Sequence, residues 1–198
     1  MAEKYLPITS DNTIYSPKGI LNKFKEAIKE EGGKIEVVLK NSKHKHVIEL
    51  WHASPLAVMI YKLTGKQFYL FPADNPDIHF VTNINTEQEG FSVEIMTLYD
   101  FHKKKFDGDY AKIAKTVWDK KGGVDYDRTE LLLVSRLDGQ FDVDMFADEI
   151  KKYKWNFLRI WLNVYSGKNS SWNLFEIIPH IGEVPTGMVS IGLSEIPY

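Results

Sequence analysis

Two carboxylates lie where two short strands should meet. Asp77 follows Asn75-Pro76 at the head of Ile78-His79-Phe80, and Glu94 sits inside the run from Phe91 to Leu98. Both runs are rich in β-branched and aromatic residues, the composition of strands. Asn83 to Gly90 between them is polar and ends in glycine, as a hairpin loop does. If the runs pair, Asp77 and Glu94 come close. Carboxylates on adjacent strands repel, and a divalent cation or a shared proton is what usually offsets that repulsion. No other spacing in the chain suggests chemistry. A plainer reading stands beside it, with Asp77 a turn residue after Asn-Pro and Glu94 facing solvent while Val93 and Ile95 face the core.

Other chemistries have weaker claims. His44-x-His46 would share a strand face, but without a third ligand it is expected at the surface. Ser135 and Ser190 lack the glycines of a nucleophile elbow. Gly32-Gly33 and Gly122-Gly123 each end a helix instead of cradling a phosphate. The chain has no cysteine, which excludes disulfides and thiolate zinc sites and fits a reducing compartment. The five tryptophans fall on expected strands or helix stripes, so they read as core before base-stacking platforms.

The elements that must position Asp77 and Glu94 can be read from periodicity. Ser16-Pro17 starts a helix whose stripe is Ile20, Leu21, Phe24, Ala27 and Ile28, stopped by Gly32-Gly33. Strands are expected over 34–40, 46–51, 58–63 and 67–71, making one helix followed by a meander. After the central pair, Tyr110, Ile113, Ala114, Val117 and Trp118 mark a second amphipathic helix. Residues 130–135 read as a strand buried on both faces, 142–153 as a third helix, and 157–164 and 171–178 as strands. A short strand is expected at 188–191. The strand–helix–strand spacing from 130 to 164 requires a parallel crossover. The sum is a mixed α+β chain, a central mixed β-sheet flanked by helices. It is read as one domain over 1–198, with 1–15 and 179–198 as peripheral extensions.

Hydrophobic residues make up 43% and charged residues 26%, with a net charge of -2. That balance gives no global pull toward nucleic acid. The basic runs at Lys40–Lys45 and Lys103–Lys105 read first as solvated faces. The opening Met-Ala-Glu-Lys lacks an apolar signal region, and no run approaches the roughly 20 apolar residues of a membrane span. A cytoplasmic protein with no membrane partner is the expectation.

With helix, strands, Pro76-Asp77, Glu94-Ile95-Met96 and crossover in this order, the chain resembles the PD-(D/E)XK nuclease superfamily, the restriction-endonuclease-like fold. The resemblance spans residues 16 to 164. It implies Mg2+-assisted hydrolysis of phosphodiester bonds in DNA or RNA, with Asp77, Glu94 and the backbone carbonyl of Ile95 holding the metal. It also implies an acid from the first helix. Glu26 and Glu30 lie opposite that helix's stripe, whereas Glu31 falls about 20° from Ile20 at about 100° per residue. Where the family carries lysine this chain has Met96, and a thioether neither orients water nor stabilises developing negative charge. Lys103, Lys104, Lys105, Lys112 and Lys115 follow closely enough to replace it, Lys103 and Lys112 first among them. Should none do so, the alternative is an inactive nuclease-fold module that binds a protein, a nucleic acid or a second copy of itself.

Overall fold

Ser16 and Pro17 start the first helix as their chemistry dictates. The Ser16 hydroxyl accepts a hydrogen bond from Gly19 N at 3.1 Å, satisfying one of the orphan donors of the first turn. The helix, α1, runs Pro17–Glu30 and buries Ile20, Phe24 and Ala27. This computed structural model describes residues 13–82, 90–98, 108–124, 128–135, 141–166, 171–179 and 187–196. The fold is mixed α/β, with two compact units: Met1–Val93 together with Ser194–Tyr198, and Glu94–Leu193. No helix among the described residues is long and apolar enough to cross a membrane.

In the first unit the expected meander is largely helix. Residues 34–40 form no strand but a single turn, α2 (Ile35–Val38). The two strands expected over 46–51 and 58–63 are one continuous helix, α3 (Lys45–Thr64). Every residue from Leu50 to Met59 is buried, so α3 is apolar all round and shows no stripe. That is the pattern of a helix enclosed by its own domain. Pro55 sits inside it and removes the N–H that would have bonded the carbonyl four residues back. That carbonyl belongs to Trp51, and the neighbouring Ser54 hydroxyl donates to it instead at 3.0 Å. Gly65, at φ 73°, ends the helix in the left-handed conformation that glycine adopts without strain. Trp51 stacks on Phe24 of α1, centroids 4.2 Å apart.

Strands β1 (Tyr69–Pro72) and β2 (Ile78–Val81) are antiparallel, and β2 pairs with the start of β3 (Gly90–Thr97). The register sets Ile78 opposite Val93 and His79 opposite Ser92, so the expected pairing of the two runs is present. Tyr15 bridges Leu70 on the far side of β1. Residues 83–89 of the expected hairpin loop lie outside the described residues.

The second unit follows the sequence closely. Helix α4 (Tyr110–Lys121) is capped by Asp109, which accepts from Lys112 N at 2.9 Å. Its buried residues are Tyr110, Ile113, Ala114 and Val117. Strand β4 (Thr129–Ser135) is buried throughout. Helix α5 (Val143–Ile150), capped by Asp142, carries the chain to β5 (Ile160–Ser166), parallel to β4 as the crossover requires. Strands β6 (Ser171–Ile178) and β7 (Met188–Gly192) add antiparallel neighbours. Leu98 N donates to Val134 O at 2.8 Å, tying the residue after β3 to β4. Met96, Leu98, Leu131, Leu133, Ile160 and Leu162 form the core with α4 and α5.

Side chains alternate along a strand, so Glu130 and Trp161 project from the opposite face of β4 and β5. There Arg159 bridges two buried carboxylates, 3.6 Å from Glu130 and 3.5 Å from Glu176. Trp161 Nε1 donates to Glu130 at 2.6 Å.

Gly122, after α4, fits against a neighbouring ring. A Cβ there would lie 2.1 Å from the Trp118 indole, and that ring is held by stacking on Tyr153 and an edge contact with Trp155. Gly122→Ala is expected to cost roughly 1–3 kcal/mol through overpacking, whereas Gly123→Ala, with no described atom within 4 Å, should be near neutral. Urea denaturation of the two variants separates them.

Candidate functional site

Asp77 is placed by a turn. Ala73 N donates to Asp77 O at 2.8 Å, closing the chain over Asp74, Asn75 and Pro76 before β2 begins. The turn reading is therefore right as far as it goes, but the side chain is not solvated: Asp77 is only 8% exposed. Its carboxylate faces the first turn of α3. Lys45 Nζ stands 4.0 Å from Asp77 Oδ1 and 3.5 Å from Glu49 Oε1. His46 Nδ1 lies 3.5 Å from the other Glu49 oxygen. The first unit thus sets two carboxylates around one ammonium.

His79 shares the strand face of Asp77 by alternation and bonds across the ladder, its Nδ1 2.8 Å from Ser92 Oγ. Burial holds the His79 imidazole below its ordinary pKa, because charging it there costs solvation.

Glu94 opens the second unit. It does not face solvent; it is buried together with Val93 and Ile95, because both faces of β3 are covered there. Glu94, Met96 and Leu98 share one face, and Met96 and Leu98 pack beneath α4. Lys121, the last residue of α4, ion-pairs with the Glu94 carboxylate. The side chains are 8% and 19% exposed, so this is a shielded pair, and a lysine at a helix C-terminus is favoured by the helix dipole. Met96 is committed to the core on that same face, so a lysine at 96 would have to bury its charge. The ammonium missing at 96 arrives from the helix above instead.

The remaining sequence candidates fall elsewhere. Glu31 accepts from Asn41 Nδ2 at 3.0 Å and pairs with His44 Nε2 at 2.9 Å. The His44 hydrogen bond holds the Glu31 carboxyl below the ordinary carboxylate value. Burial of His44 removes it from the surface, correcting the expectation for that histidine, whereas His46 is exposed. Lys112 is exposed in the first turn of α4, about 13 Å along the axis from Lys121 at 1.5 Å per residue. Lys115 pairs with Asp119 at 2.6 Å, which holds its pKa above the ordinary value. Lys103, Lys104 and Lys105 lie outside the described residues. Ile95 is buried in mid-strand.

Glu49, Lys45 and Lys121 escaped the sequence reading. The first two were assigned to a strand or its approach, although Lys45–Glu49 and His46–Glu49 have the i,i+4 and i,i+3 spacing of a helix.

Among the described residues, no group of three or more His, Asp or Glu side chains is arranged to hold a metal ion. Mg2+ asks for less than that: one or two carboxylates, with water and phosphate oxygens completing the shell. Asp77 and Glu49 are hard oxygen donors already sharing a cation in the Lys45 ammonium, and that donor set fits such an ion. No family model, curated protein or solved structure matches the chain.

Proposed function

We propose that this chain is a metal-dependent phosphodiesterase of the restriction-endonuclease-like kind, cytoplasmic and acting on DNA or RNA. The observation that most supports this reading is the Lys121 ammonium on the Glu94 carboxylate. A bare Met96 in the third motif position argued against catalysis; a shielded ammonium on the preceding motif residue answers that objection. Asp77 and Glu49 would hold the Mg2+. When bound, the metal supplies Lewis-acid stabilisation and a water of lowered pKa. Glu94 fixes Lys121 through the ion pair. Lys121, partly withdrawn from solvent, stabilises the negative charge that develops on the phosphoryl oxygens and orients the water that attacks.

Supercoiled DNA, single-stranded DNA and RNA incubated with Mg2+ or Mn2+ test the proposal. Asp77→Ala and Glu94→Ala are each expected to lower cleavage by at least roughly a hundredfold. Cleavage that survives both changes would sink the catalytic assignment. No cleavage by the unmodified chain on any of the three substrates would favour the non-catalytic module instead.

A further inference from the structure

We propose that Lys45 is a tethered counter-ion that fills the cation position between Asp77 and Glu49 and must be displaced before a divalent ion can enter. This rests on the metal-dependent reading above and adds a regulatory feature to it.

Three observations converge. First, the ammonium stands between the two carboxylates, 3.5 Å from Glu49 and 4.0 Å from Asp77, so an ion bridging them competes for its place. Second, the two acids are held and the base is not: their side chains are each 12% exposed, whereas Lys45 is 55% exposed. A flexible four-carbon stem with a strongly hydrated head can swing into water at little cost. Third, Lys45 is the first residue of α3, whose first turn contains no acid. The positive end of the helix dipole disfavours a lysine there, so the carboxylates are what hold it inward.

Charge balance favours the exchange. Two carboxylates and one ammonium leave a formal charge of -1, whereas two carboxylates and a divalent ion are neutral. The ion also coordinates the oxygens directly, which an ammonium at these distances does not. Lys45 thereby keeps the paired acids from repelling each other in the metal-free protein, and it sets a threshold of metal concentration for loading. Once displaced, its charge is free beside the metal position.

Isothermal titration of the full chain with MnCl2 tests this in the unmodified protein, Lys45→Met, Lys45→Arg and the double variant Lys45→Met, Asp77→Asn. Lys45→Met is expected to bind Mn2+ about fivefold more tightly, the fold-change corresponding to loss of one partly exposed ion pair. Lys45→Arg should restore weaker binding, and the double variant should lose uptake. Thermal melting gives a second readout: metal-free Lys45→Met should melt lower than the unmodified chain and gain more on adding Mn2+. Equal or weaker binding by Lys45→Met, beside clear uptake by the unmodified chain, overturns this inference and leaves the metal reading standing. Uptake that persists in the double variant places the ion elsewhere and overturns it too. Absence of uptake in every variant overturns both.

Discussion

Lys121→Met is expected to lower the single-turnover rate of metal-dependent cleavage by roughly a hundred- to a thousandfold, the usual cost of removing one preorganised donor to developing charge. The loss should fall on kcat, with KM little changed, because the ammonium acts on charge that exists only in the transition state. Lys121→Arg keeps the charge but not the geometry, so partial activity is expected. The change also deprives a buried carboxylate of its partner, so urea midpoints must be measured alongside the rates. A purely structural role would lower stability without this split between kcat and KM. The decisive comparison is with Lys112→Met, measured under saturating Mn2+. A larger loss at Lys112 than at Lys121 would reverse the assignment.

Lys121 could have been found in the sequence, though by a different signal from proximity to Met96. It follows Val117 by four residues and Ile113 by eight, which puts it on the buried stripe of α4, the face turned toward β3. Lys112 and Lys115 are off that stripe and face solvent. A lysine at the end of an apolar stripe needs an anion, and Glu94 has the same strand parity as the core residues Met96 and Leu98. Periodicity and parity together name the pair. Caps and stripes also made α1, α4 and α5 legible, since Ser16, Asp109 and Asp142 all cap as their types predict.

What periodicity could not show was α3. Its apolar residues surround the axis, so its two halves read as short buried strands, and Pro55 reinforced the division. The rescue of that proline by the Ser54 hydroxyl is visible only once the helix is known. The error carried forward to the site: with 46–51 taken as a strand, the acid beside Asp77 was sought on α1, at Glu31. The chain instead turns Glu31 to His44 and Asn41 and brings Glu49 to Asp77, from the helix that leads directly into β1.

Arg159→Ala should cause the largest loss of stability, about 3 kcal/mol, because it leaves two buried carboxylates without the cation between them. Glu130 and Glu176 side chains are 7% and 2% exposed, so water is a poor substitute. Arg159 itself is 28% exposed, which places the effect at the lower end of the range for breaking a buried pair. Adding Glu176→Gln should recover about half of the loss, since one of the two uncompensated charges is then gone. Arg159→Lys should recover less than its charge suggests, because one ammonium lacks the fork that spans both acids. Glu130 keeps the Trp161 indole donor in every variant, so the remaining strain falls mainly on Glu176. Chemical denaturation monitored through tryptophan fluorescence measures the series. Additive losses in Arg159→Ala and Glu176→Gln would mean that the two side chains are not coupled, and that solvent, not Arg159, balances these carboxylates.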